Sequence, residues 1–474
     1  MLYEKRELLG KLFFGISILI LIYMFVSPLT HTILHIDEYW TYSLVNLPFM
    51  QGMTVAVHDV HPILYYLILY LFKPVAGSDN FYFFKVLSIV PYLLLLVVSA
   101  TKIKDDHGWL TAGLFTFSLG VMSDFFIEFL TMRMYSWGLF FLVMAFIYYG
   151  DVLANWDRRS WILLTFFSLC CAYTQYFFAI PCGLMYLLLL AEILRNNKDK
   201  IKQFGKSVLA LILLYAPWTV VLVHQIQGQS DEFHQAINWS TIPNYFTYFA
   251  IKSDSFAIEM ILLKLLAVAL LVLVLFVAYK NRDKFALSGV FVMYGTIFIG
   301  FFALFLAINT MRIRYLVPVL GVFWLAASVS IGKIKNNRIL AIALIAVFVL
   351  AGASIAINHD DVNERIAFND KKASFLESID NNKSVVVYNT DYGYKVLHND
   401  LNNTSKQYTL SGTYFYDNDV EVSKNLTDIL HKHPDKDVYL VNWRAKQINK
   451  EYEKNYNLTP KYDAGHYKFY LVRH

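Results

Sequence analysis

The sequence predicts a polytopic α-helical membrane protein that carries a small α/β domain at its C-terminal end. Of its 474 residues, 57% are hydrophobic, 17% aromatic and only 16% charged, with a mean hydropathy of +0.44; soluble domains carry about 25% charged residues. Apolar runs of roughly 17–25 residues, each long enough to cross about 30 Å of hydrocarbon, recur from Gly10 to Ile357. Beyond His359 the runs stop, and short strand-like and helix-like stretches alternate.

The first run, residues 10–29, follows Lys5, Arg6 and Lys11. It is too long for a signal-peptide core, and no small-residue cleavage site follows it, so it reads as a retained anchor. Lysine and arginine concentrate in cytoplasmic loops. Placing Lys102/Lys104, Arg158/Arg159, Arg195–Lys202, Lys280–Lys284 and Lys333–Arg338 on that side, with the N-terminus, requires eleven spans: 10–29, 85–101, 108–124, 134–150, 161–179, 180–193, 206–224, 256–279, 285–307, 315–331 and 339–357. With the N-terminus in the cytoplasm, an odd number of spans puts the tail outside the cell membrane. Pro62–Val75 is short and, if it crossed, would put Lys102 and Lys104 outside, so it is expected to be a re-entrant or juxtamembrane helix within a first outer loop, 31–84, with a short true span as the alternative. The expected domains are therefore 1–357 in the membrane and 358–474 outside it.

In the tail, Ser384–Tyr388, Lys406–Leu410, Val438–Asn442 and Tyr467–Val472 read as strands, and Tyr392–Asn399, Val420–His431 and Arg444–Asn455 as helices. Alternation of this kind suggests a small α/β domain. No glycine-rich phosphate loop accompanies it. Cys170, Cys171 and Cys182 all fall in apolar stretches, which implies no disulfide framework. The net charge of +5 is accounted for by the loops between spans, so no nucleic-acid partner is expected.

Polar residues that are costly near a bilayer fall on the outer side of this topology. They are Asp37 and Glu38; His58, Asp59 and His61; Asp124 and Glu128; Arg133 and Tyr135; Gln175 and Tyr176; Asp231, Glu232 and His234; Lys252 and Lys264; and Arg312, Arg314 and Tyr315. Ionisable groups at such depths usually mark a site. Outer arginines run against the charge rule, and guanidinium forks suit phosphate or carboxylate. Cytosolic nucleotide sugars do not reach an outward site, but a lipid-linked sugar does, with its phosphate at headgroup depth. Arginines would stabilise charge on the departing phosphate, and a carboxylate would take the proton of an attacking hydroxyl.

Four motifs carry a family resemblance. They are Asp37-Glu38 followed by Tyr39, Trp40 and Tyr42; Asp59-Val60-His61-Pro62-Ile63-Leu64-Tyr65-Tyr66; Arg133-Met134-Tyr135; and Arg314-Tyr315-Leu316-Val317-Pro318. In order and spacing the chain resembles GT-C type membrane glycosyltransferases, in particular the protein O-mannosyltransferase and aminoarabinose-transferase group. It departs from that group at Ile63, where a second proline is usual, at Glu128, where the acidic residue lies farther from Arg133, and at Gln175-Tyr176, where many relatives have His-Tyr.

The resemblance implies the GT-C fold and an inverting transfer of a sugar from a polyprenyl-phosphate donor to a glycan, lipid or protein acceptor. It places the catalytic base on Asp37, with Glu38 beside it. Asp59, His61, Glu128, Arg133, Tyr135, Lys264, Arg312, Arg314 and Tyr315 are the candidate substrate-binding residues. Distant GT-C members use a divalent metal and many of this group do not, so a Mg or Mn ion on Asp37, Glu38, Asp59 and His61 stays open. The competing reading is a transporter or lipid flippase, which expects inverted repeats and broken helices about a midplane site.

Overall fold

The computed structural model describes residues 2–30, 36–76, 81–227, 242–307, 313–380, 382–390, 397, 406–410, 420–423, 425–443, 450–463 and 467–473. They form two compact units: residues 1–32 with 45–361, and residues 33–44 with 362–474.

The first unit is a helical bundle. Among the described residues, nine helices are long and apolar enough to cross a membrane: Glu4–Ser27, Phe81–His107, Tyr135–Asn155, Tyr176–Asn196, Lys198–Gln227, Ile258–Lys280, Lys284–Phe302, Ile313–Gly332 and Asn337–Glu377. The two remaining expected spans are also helical but shorter, at Trp109–Val121 (13 residues) and Arg158–Thr174 (17 residues). Pro62–Val75 gives a 13-residue helix, Leu64–Ala76. Its Lys73 donates to the carbonyls of Val45, Asn46 and Leu47 at 2.6, 3.1 and 3.1 Å, satisfying acceptors that a helix end leaves open.

Small residues let the bundle close. The helix Leu2–Thr30 packs along Trp109–Val121, and a Cβ on Gly113 would stand 2.0 Å from the Gly10 carbonyl oxygen. Lipid tails are as apolar as leucine, so such contacts and interhelical hydrogen bonds drive assembly instead of hydrophobicity. Ser17 Oγ donates to Thr116 Oγ1 at 3.0 Å, and the Tyr92 hydroxyl donates to the Thr116 carbonyl at 3.0 Å. The helix Val317–Gly332 forms the centre: it is buried from Val317 to Ile331 and packs on Trp109–Val121, Tyr135–Asn155, Ile258–Lys280 and Lys284–Ala307.

One end of the bundle carries the lysine-rich loops. Arg6 donates to the Ile334 carbonyl at 2.7 Å, Lys102 pairs with Asp151 at 2.9 Å, Lys284 with Glu192 at 2.8 Å and Lys333 with Asp283 at 2.5 Å. The side-chain cluster described below lies at the other end.

The second unit is built on a six-stranded sheet of order β3-β2-β1-β4-β6-β5. Its strands are β1 (Ser384–Tyr388), β2 (Lys406–Thr409), β3 (Val420–Val422), β4 (Asp437–Trp443), β5 (Asn457–Asp463) and β6 (Tyr467–Arg473). β1 to β4 run parallel and β5 and β6 antiparallel. All four expected strands are present. The expected helix Val420–His431 begins instead as β3, and only Leu426–Lys432 is helical, because Asn425 stops the strand and caps the helix through the Asp428 amide at 2.8 Å. Of the other two expected helices, most of Tyr392–Asn399 lies outside the described residues, and Lys450–Asn455 is helical. Residues 33–44 join this unit through Tyr39, which is packed in one core with Leu376, Val386, Tyr388, Val441 and Phe469. The Lys372 ammonium donates to the Tyr39 hydroxyl at 3.1 Å.

Candidate functional site at one end of the bundle

The site in the first unit is built on a buried connection, residues 122–134, between the helices Trp109–Val121 and Tyr135–Asn155. Ser123 takes φ of +50°, which costs a non-glycine residue about 1 kcal/mol or more. Neighbours hold it there. Its amide donates to the Ala250 carbonyl at 3.2 Å, and its carbonyl accepts from Asn358 at 2.7 Å and Ser354 at 3.3 Å. Asp124 precedes the short helix Phe125–Leu130, which carries Glu128. Asp124 is 3.1 Å from the Lys252 ammonium, and it accepts from the Tyr248 hydroxyl at 3.0 Å. Lys252 also reaches Asp361 at 3.4 Å. Burial pushes the Asp124 carboxyl above the ordinary range, with Lys252 and Tyr248 opposing.

Arg133 follows and is buried, with 4% exposure. Its Nη2 donates to His61 Nε2 at 2.8 Å. A guanidinium only donates, so Nε2 carries the lone pair and the imidazole proton sits on Nδ1. Two residues upstream of His61, Asp59 accepts from the Tyr66 hydroxyl at 2.5 Å. The motif Asp59–Tyr66 therefore folds into one turn plus the start of a helix that presents both polar groups.

Tyr135 is the hub. The Arg314 guanidinium carbon lies 5.5 Å from its ring centre, a cation–π contact. Tyr315 stacks on it at 6.3 Å, and Phe178 meets it edge-on at 6.5 Å. Arg133 and Glu128 also lie within electrostatic range of its phenol. Phe178 approaches because residue 138 is glycine; a Cβ there would sit 2.0 Å from the Phe178 ring. Tyr66 lies within range of both Asp59 and Arg133.

The bundle thus brings together Asp59, His61, Glu128, Arg133, Tyr135, Arg314 and Tyr315. Lys264 is held elsewhere: it donates to Asn244 Oδ1 at 2.8 Å and the Ser255 carbonyl at 3.2 Å. Asp37 and Glu38 lie on the helix Ile36–Asn46 and belong to the second unit, where Glu38 is buried. Arg312, Asp231, Glu232 and His234 lie outside the described residues. Among the described residues no three His, Cys, Asp or Glu side chains are grouped to hold a metal. Of the nominated ligands, His61 Nε2 receives the Arg133 guanidinium and Asp59 Oδ2 receives the Tyr66 hydroxyl. Sequence reading passed over Lys85, buried in a span and donating to the Leu130 carbonyl at 3.1 Å. A lone lysine at the start of an apolar run was its signal.

No protein-family model matches the chain, and no curated protein matches it by sequence. Solved structures do. The structure of ArnT, an aminoarabinose transferase, from Cupriavidus metallidurans bound to undecaprenyl phosphate superposes with a TM-score of 0.63 at 11% identity, over 97% of each chain. Its apo state gives 0.59 at 11% identity, over the same shares. The Archaeoglobus fulgidus oligosaccharyltransferase, in complex with Zn and sulfate, gives 0.52 at 10% identity, over 96% of this chain and 72% of that one. Similarity at these identities establishes the fold: the chain is a polytopic helical membrane protein of the GT-C architecture.

Proposed function

We propose that the protein is an inverting glycosyltransferase that moves a sugar from a polyprenyl-phosphate donor to an acceptor hydroxyl at the outer face of the cell membrane. The observation that carries this reading is the pair of guanidiniums about Tyr135, with Arg133 oriented by His61 and Arg314 stacked on the ring. They sit within a fold whose structural neighbour ArnT was solved with undecaprenyl phosphate bound. Two guanidiniums away from the lysine-rich end suit a lipid phosphate.

In this reading Asp37 takes the acceptor's proton as the hydroxyl oxygen attacks the anomeric carbon. The carbon–oxygen bond to phosphate breaks from the opposite face, and its electron pair leaves with the polyprenyl phosphate. Arg133 and Arg314 stabilise that charge more in the transition state than in the ground state. The leaving phosphate is a weak base, so a general acid is not required. Glu38 orients the acceptor, and Asp59, Glu128, Tyr135 and Tyr315 shape the sugar pocket. The sidedness follows from the loop charges: N-terminus cytoplasmic, C-terminal unit outside.

The test is a titration of the purified protein with undecaprenyl phosphate. The unmodified chain should bind saturably, and R133Q/R314Q should bind at least about tenfold more weakly, since each charge-assisted contact contributes about 1.5–3 kcal/mol. Equal affinity in the double variant would remove the arginines from the donor site.

A further inference from the structure

At the lysine-rich end of the bundle, Tyr148, Arg158, Arg159, Ile162 and Leu163 line an open groove of about 500 Å³. We propose that this groove is a binding site for an anionic glycerophospholipid, its phosphate between Arg158 and Arg159 and its acyl chain along Ile162 and Phe166. The site is remote from the transfer chemistry proposed above and independent of it.

The argument begins with helix electrostatics. Arg158 and Arg159 open the helix Arg158–Thr174, where the dipole already presents positive charge and cations are disfavoured. Both are exposed, and among the described residues neither forms an ion pair. The nearby carboxylates are committed elsewhere. Asp157 caps the helix, accepting from the Ser160 amide at 3.0 Å and the Ser160 hydroxyl at 2.5 Å, and Asp151 is paired with Lys102. An arriving phosphate would meet two guanidinium forks together.

The apolar half of the groove says which phosphate. From Arg158, steps of four residues lead to Ile162 and Phe166 on one helix face. These are 54% and 53% exposed, a stripe directed at the lipid phase. The Tyr148 ring stacks parallel to Phe167 at 5.8 Å, which fixes one wall. A free phosphate or a soluble anion would use the arginines and leave that stripe bare. A lipid uses both, and basic pockets between spans on the cytoplasmic side are suited to anionic headgroups.

The experiment places a photoreactive p-benzoylphenylalanine at Ile162 of the full chain, in nanodiscs of phosphatidylcholine and phosphatidylglycerol in equal parts. Crosslinks to phosphatidylglycerol should exceed those to phosphatidylcholine by up to roughly thirtyfold, given two surface arginines. That preference should fall to parity in R158Q/R159Q, stay largely intact in R158K/R159K, and weaken with added salt. Equal labelling of the two lipids in the unmodified chain overturns the proposal, as does a preference unchanged in R158Q/R159Q. Should inorganic phosphate abolish the preference at constant ionic strength, the site is one for a soluble anion and the lipid reading fails. If R158Q/R159Q does not fold, the salt titration of the unmodified chain decides: a salt-insensitive preference refutes the proposal.

Discussion

Replacing Lys252 with methionine should destabilise the protein in a strongly pH-dependent way. Asp124 is buried and pairs with the Lys252 ammonium at 3.1 Å; Tyr248 supplies one neutral donor. Burial already pushes the Asp124 carboxyl above the ordinary range against the pull of Lys252, and K252M removes that pull. A carboxyl whose folded pKa exceeds its unfolded value favours the fold below the unfolded value and costs stability as pH rises through the interval. With an unfolded pKa of about 3.9, a carboxyl kept neutral in the fold costs at most about 1.36 × (7 − 3.9), or about 4 kcal/mol, at pH 7 and about 1.5 kcal/mol at pH 5. The pH 7 figure agrees with the roughly 3–5 kcal/mol for breaking a buried pair. The assay is thermal unfolding in detergent from pH 5 to pH 8, comparing K252M with the unmodified chain and with D124N/K252M. The deficit of K252M should grow with pH, and D124N should relieve most of it by removing the charge. A deficit that is flat with pH, or that persists in D124N/K252M, would refute the reasoning.

Further expectations follow from the same geometry. G113L should lower stability by about 1–3 kcal/mol or abolish folding, because the added carbons meet the Gly10 backbone, not a flexible side chain; unfolding midpoints in detergent would show it, and an unchanged midpoint would mean the helices can separate freely. H61A should weaken undecaprenyl phosphate binding less than R133Q does, since His61 only orients the guanidinium, at 2.8 Å; titration of both variants ranks them, and the reverse order would move His61 onto the donor. In the second unit, Lys406 and Lys432 hold the Glu421 carboxyl down at about 2. A depressed carboxylate contributes stability above its unfolded pKa, about 4.3, that is lost as pH falls towards the folded value. Comparison of E421Q with the unmodified chain by thermal scan should therefore show a deficit at pH 6 that disappears near pH 2, and a deficit that survives acid would rule out ionisation as its cause.

The bundle was legible because its signal is local. Each expected span needed only its own apolar run, and all eleven stretches are helical. Arg158–Thr174 and Trp109–Val121 were readable as helices from apolarity alone, but they stop short of the expected C-terminal ends, where Gln175 and Met122 take extended backbone. Asp157 starts the first helix, and Gly108 at φ +83° precedes the second. Strands β1, β2, β4 and β6 declared themselves through runs such as Ser384–Tyr388. β5 did not: Asn457–Asp463 is an edge strand, mostly exposed, with an irregularity between Pro460 and Tyr462, so no hydrophobic alternation marks it.

The site was half legible. Residue types and sidedness nominated Asp59, His61, Glu128, Arg133, Tyr135, Arg314 and Tyr315, and these assemble. What pairs with what was hidden, because His61 and Arg133 are 72 residues apart, and no local pattern encodes a contact across that distance. The placement of Lys264 with Asn244 was equally invisible, since a lysine two turns into a span reads the same whether it faces a substrate or an asparagine. Residues 33–44 group with the tail because Tyr39 completes the core of the sheet, a tertiary choice that the flanking apolar helix conceals.

The most direct test of the central claim is mass spectrometry of lipid-linked sugars from cells in which this chain is intact, absent, or carries Asp37→Asn. A glycosyltransferase using Asp37 as its base predicts that one polyprenyl-phosphate sugar accumulates equally in the null and Asp37→Asn cells and is restored to its normal level by the intact chain. A lipid-linked sugar pool unchanged in the null cells, or an Asp37→Asn strain indistinguishable from the intact one, would contradict it.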